Sequence, residues 1–146
     1  MNFKLLASSV VIAAALALSG CASDMAPAKK NLYERLGGKP AITAVVDDFV
    51  GNVAADDRIN GRFANTDIAR LKQLLVEQIC AGTGGPCTYS GRDMKTTHTG
   101  MRITEPEFNA LVEDLVKTLD KFKVPAQEKS ELLGILGPMK KDIVGM

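Results

Sequence analysis

Apolar residues recur at helical spacing along most of the chain beyond residue 30. Between Pro40 and Val53 they fall at Ile42, Val45, Val46, Phe49, Val50 and Val53. Those steps of three and one make a single stripe on an α-helix. The β-branched content leans toward strand, but the period decides for helix. A short helix precedes it: Asn31 and Glu34 form a capping-box pair, and Gly37-Gly38 ends that turn. Pro40 suits the first turn of the long helix. Asp56 to Gly61 breaks the pattern, and Phe63 follows. Thr66 or Asp67 then caps a third helix carrying Ile68, Leu71, Leu74, Leu75 and Ile79. It stops in the run Ala81 to Pro86, where no Gly-Lys-Ser/Thr follows, so this is not a phosphate loop.

Thr104-Glu105-Pro106-Glu107 starts another helix with a cap, an early Pro and a Glu three residues on. Its stripe is Phe108, Leu111, Val112, Leu115, Val116, Leu119 and Phe122, and Val124-Pro125 ends it. A last helix carries Leu132, Leu133, Leu136, Met139 and Ile143, kinked or broken at Gly137-Pro138. No strand pattern and no repeat appears. The expectation is an all-α domain of four main helices and two or three short ones, spanning residues 31–146.

The first thirty residues have a different character. Met1 to Lys4 is a short basic start, and Leu5 to Leu18 is apolar apart from Ser8 and Ser9. This is short for a membrane span and fits a signal peptide over residues 1–20. It ends in Leu18-Ser19-Gly20-Cys21, which resembles the lipoprotein box of bacteria. That resemblance implies a lipid anchor at Cys21, with residues 21–30 as a tether. Ala22 after the Cys implies the periplasmic face of the outer membrane.

Composition adds little that is positive. Lys+Arg number 18 and Asp+Glu 17, a net charge of +1, which gives no reason to expect nucleic acid. The domain, roughly 115 residues, is large enough for one core. Beyond Cys21 there are two cysteines, Cys80 and Cys87. Export makes a structural disulfide between them plausible. The spacing is not Cys-x-x-Cys, so a redox switch is the weaker alternative.

His98 is the single histidine. One His cannot build a zinc site, which takes three or four protein ligands. Haem does need only one, because the porphyrin already supplies four nitrogens. Taken alone, a lone His is more often an ordinary surface or core residue.

Several residue groups change that balance together. They are Leu32-Tyr33-Glu34-Arg35-Leu36-Gly37-Gly38, Phe63-Ala64-Asn65-Thr66-Asp67, Gly84-Gly85-Pro86, Tyr89 to Met94, His98, and Ile103-Thr104. In this order and spacing, residues 31–146 resemble a group 1 truncated haemoglobin, a globin trimmed to a two-over-two helical sandwich. The resemblance implies haem b, held non-covalently, with His98 as the proximal ligand to iron. It implies that Phe63 packs on the porphyrin face and that Phe49, Met94, Ile103, Phe108 and Val112 line the haem. Tyr89, with Arg70, Lys72 or Arg92, would meet the propionates.

The distal side departs from the family. Val50 stands where a ligand-binding Tyr is usual, and Leu71 and Leu75 stand where polar residues are common. Leu74 is apolar too, and Gln78 is the one nearby donor candidate. The implied function is binding of a diatomic gas: dioxygen, nitric oxide or carbon monoxide. A haem enzyme of the same fold, a nitric oxide dioxygenase or a peroxidase-like protein served by an unidentified reductase, is the alternative. A cofactor-free helical interaction lipoprotein is the third reading. Nothing in the sequence sets the oligomeric state.

Overall fold

The computed structural model describes residues 29–146. The expected signal peptide, Cys21 and the tether up to residue 28 lie outside the described residues. Six α-helices follow: α1 Leu32–Arg35, α2 Gly38–Ala55, α3 Ile68–Gly82, α4 Met94–His98, α5 Glu105–Lys121 and α6 Ala126–Leu136. Short 3-10 turns cover Asn60–Phe63 and Gly137–Asp142. None of the described helices is long and apolar enough to cross a membrane.

The local signals explain the boundaries. Asn31 Oδ1 accepts from the Glu34 amide at 2.9 Å, and Glu34 Oε2 accepts from the Asn31 amide at 3.0 Å, completing the capping box. Gly37 has φ +95° and forms the N-cap of α2, which begins at Gly38. That left-handed conformation is one an L side chain rarely adopts. Asp67 rather than Thr66 caps α3, its Oδ1 accepting from the Arg70 amide at 3.0 Å. Thr104 and Glu107 cap α5 reciprocally. At Gly137-Pro138 the α-helix gives way to a 3-10 turn, since Pro138 has no amide to donate.

Helix α2 is central and packs against both α3 and α5, while α1 lies on α2 and α6. It buries Ile42, Val46, Phe49, Val50 and Val53, close to the predicted stripe. Helix α5 departs from its stripe. Phe122 is 42 % exposed at the helix end, while Asp114 and Thr118 are buried. Thr118 is satisfied: its hydroxyl donates to Asp48 Oδ2 at 3.1 Å and accepts from Asn52 Nδ2 at 2.8 Å. Lys121 pairs with the same Asp48. These contacts fasten α5 to α2 with polar groups where sequence periodicity shows none.

One isolated parallel bridge joins Ile103 to Val144. The Gly145 amide donates to the Ile103 carbonyl at 2.9 Å, and the Arg102 amide to the Met146 carbonyl at 2.6 Å. The Cys80 and Cys87 sulfurs lie at bonding distance, with Cα atoms 5.7 Å apart. Their link joins the last turn of α3 to the loop leading toward α4.

Candidate functional site

On α3, the predicted stripe is only partly buried. Ile79 is buried, but Leu71, Leu74 and Leu75 are not, and Ile68 is 40 % exposed. The physical reason is that these side chains face a cavity of about 560 Å3 rather than another helix. That size lies within the roughly 300–1,000 Å3 of small-molecule and cofactor sites. Every element from α2 onward contributes to its wall. From α2 come Phe49 and Val50, from the turn after it Phe63, and from α3 Leu71, Leu74, Leu75 and Gln78. Tyr89 and Arg92 precede Met94 and His98 of α4, and α5 supplies Phe108 and Val112.

His98 ends α4, a single turn that cannot hold itself together alone. Asp93 caps its start, Oδ1 accepting from the Thr96 amide at 2.8 Å and Oδ2 from the Thr96 hydroxyl at 2.6 Å. Those contacts with Thr96 hold the Asp93 carboxyl below the usual range. The His98 ring nitrogen Nδ1 lies 2.8 Å from the Met94 carbonyl oxygen. A carbonyl only accepts, so Nδ1 is the donor here, and in the neutral ring that leaves the lone pair on Nε2. The ring is thereby held in the tautomer a metal ligand needs.

The loop before α4 is tied to α3. The Ser90 amide and hydroxyl donate to Glu77 Oε2 at 3.0 and 2.7 Å, and Arg70 Nη2 donates to the Ser90 hydroxyl at 3.1 Å. The hydrogen bonds from Ser90, with a further one from Gln73, bring the Glu77 pKa down to about 2. Tyr89 donates its hydroxyl to the Arg92 carbonyl at 3.0 Å, and burial pushes the phenol up. A Cβ on Gly91 would fall 2.2 Å from that hydroxyl, so a larger residue there would push the Tyr89 ring out of place.

A family model for bacterial-like globins matches residues 31–144. The group 1 truncated haemoglobin of Mycolicibacterium paratuberculosis is 37% identical over 77% of this chain and 83% of its own. The chain belongs to the group 1 truncated haemoglobins. The crystal structure of the truncated haemoglobin of Tetrahymena pyriformis in its Fe(III) form aligns with a TM-score of 0.77 at 32% identity. It covers 80% of this chain and 100% of that one. The 2/2 haemoglobin of Synechococcus, solved in the cyanomet state with covalently attached haem, gives 0.75 at 33% identity, with 80% and 100% covered.

This globin gathers nearly all the predicted site residues on one cavity. Phe49, Val50, Phe63, Leu71, Leu75, Tyr89, Met94, Phe108, Val112 and His98 line it. Ile103 does not, which corrects the expectation. Its backbone is engaged in the bridge to Val144 and Gly145, and the residue serves to hold the loop. Of the basic candidates, only Arg92 lines the cavity. Arg70 is turned to Ser90, and Lys72 pairs with Asp47 at 3.0 Å.

Other wall residues escaped sequence reasoning. Leu133, Leu136, Met139, Lys140 and Ile143 close one side. Their helical period signals an apolar face but not whether that face meets a helix or a cavity. Gln78 reaches the cavity, with Nε2 at 3.5 Å from Met139 Sδ and 3.7 Å from Met94 Sδ. It is engaged with two weak sulfur acceptors.

Proposed function

We propose that this globin holds haem b non-covalently through His98 and binds a diatomic gas at the iron. The carrying observation is the Nδ1 contact from His98 to the Met94 carbonyl, on the wall of an apolar cavity of about 560 Å3. The residues fit the group: an apolar slot suits the porphyrin, and one imidazole completes the iron's protein ligation. Bound haem supplies an iron site at which dioxygen, nitric oxide or carbon monoxide coordinates. Phe49, Phe63 and Phe108 would pack against the ring, Arg92 would meet a propionate, and Val50, Leu71 and Leu75 would keep water from the gas site. Their lack of titratable groups favours gas binding over peroxidase-like turnover, which uses positioned acids and bases.

His98→Ala tests the reading. The variant should lose stoichiometric haem or change its ferrous absorption spectrum. Full retention with an unchanged spectrum would remove His98 as the ligand.

We also infer export and lipid anchoring at Cys21, on the periplasmic face of a bacterial outer membrane. Two features support this: the Leu18-Ser19-Gly20-Cys21 pattern, and the Cys80–Cys87 pairing, which suits an oxidising compartment. An unidentified reductase would keep the iron ferrous.

A further inference from the structure

We propose that Arg62 is a positioning residue for His98, acting through the loop that follows it. The inference rests on His98 as the haem ligand. Because α4 is one turn long, the direction of the imidazole depends on how both ends of that turn are held. The Asp93 cap holds the first end. The second runs into a loop that turns at Gly100, φ +83°, which glycine accommodates, and then places Arg102 at φ +51°. A non-glycine residue in the left-handed region stays there only when its surroundings fix it.

Arg62 shares that fixing with the Met146 carbonyl, which accepts from the Arg102 amide. Arg62 Nη1 donates to the Met101 carbonyl at 3.0 Å. Its Nε and Nη2 grip Glu107 Oε1 and Oε2 at 2.7 and 3.0 Å, a two-pronged contact only a guanidinium makes. Glu107 Oε2 also accepts from the Thr104 amide and hydroxyl, both at 2.8 Å. These contacts, led by the Arg62 fork, bring the Glu107 pKa down to about 2. The Met101 amide in turn donates to the His98 carbonyl at 3.0 Å. Arg62 is thus two hydrogen bonds from the backbone of His98 and is anchored to the start of α5. Its neighbour Phe63 lines the cavity, so one 3-10 turn both walls the haem site and braces the loop behind His98.

The test compares Arg62→Met and Arg62→Lys with the parent in the haem-loaded protein. The readouts are haem transfer to an excess of apomyoglobin and the ferrous iron–histidine stretching band, both taken well below the melting temperature. Arg62→Met should speed haem transfer several-fold, less than the roughly ten-fold or more that loss of a direct partner of a metal-ligating His produces. It should also shift or broaden the band. Arg62→Lys keeps the charge but not the fork, and should not restore either. If both variants lower the melting temperature yet keep the parent's transfer rate and band, Arg62 is only a structural tie and the proposal fails. His98→Ala run alongside separates the two readings: if it loses haem while the Arg62 variants behave as parent, the positioning role alone is wrong. If it keeps haem and spectrum, ligation by His98 is wrong as well.

Discussion

At Val50 a single side chain sets the character of the gas site. It is buried on the cavity wall beside Leu71 and Leu75. Dioxygen on ferrous haem carries partial negative charge and gains from a donor, whereas carbon monoxide needs little such help. Val50→Tyr places a phenol on that wall. A new buried hydrogen bond contributes about 1–2 kcal/mol, or about ten-fold in dioxygen affinity. Stopped-flow dissociation rates of parent and variant, measured side by side, check this. If the parent already releases dioxygen as slowly as the variant, another donor is at work, with Gln78 the first to examine. Asp114 is a second residue with a definite consequence. It is 7 % exposed, and its Oδ2 has no hydrogen-bond partner. Burial first, and then the nearby Asp56 carboxylate, raise its pKa. A carboxyl whose folded value lies above its unfolded value, about 3.9, contributes stability fully below that unfolded value. The contribution is lost as pH rises through the folded value. Asp114→Asn removes the buried charge and keeps the shape. Its melting temperature should exceed the parent's at neutral pH, with the gap closing in acid. A gap that stays constant with pH would mean that the charge is not the cause.

Among the elements, helices with a cap and a stripe were readable from sequence, while their partners were not. Asn31 with Glu34 and Thr104 with Glu107 mark starts that the structure keeps. Periodicity also named α2's buried face correctly. It misled at Phe122, because a stripe continues in sequence beyond the point where the helix leaves the core. It could not reveal Thr118 inside, since its Asp48 and Asn52 partners come from another helix. Cys80 and Cys87 tie the end of α3 to the loop leading toward α4, and Cys80 is wholly buried. Closing so short a loop contributes about 2 kcal/mol. Cys87→Ser should therefore lower the unfolding free energy of the oxidised protein by about that much in a urea titration. Thiol labelling of the native parent should find neither cysteine free. Labelling at both would show that the pair is open.

For the whole molecule, the fold class followed from helical period and from motif order. The cavity's membership was legible where motifs reached it, at Phe49, Phe63, Tyr89 and His98. It was not legible across α6 and the turn after it, where Met139 and Lys140 reach the wall through tertiary packing. The proposed leader and lipid anchor bear on the whole molecule's location. If Cys21 carries the anchor, Cys21→Ala should leave the protein in the soluble fraction or stall its processing, as fractionation would show. Unchanged membrane association would point to a different anchor.

The pairing of Ile103 with Val144 also dictates an order of events during synthesis. Domains emerge from the ribosome N-terminal end first, so the loop behind His98 appears well before the residues that clasp it. All of α5, α6 and the closing 3-10 turn must follow before that clasp can form. Until then the loop after His98 lacks its contacts to Val144 and Met146, and the cavity lacks the wall supplied by Leu133, Leu136, Met139, Lys140 and Ile143. A closed seat beside His98 therefore depends on residues that lie more than thirty positions further along the chain.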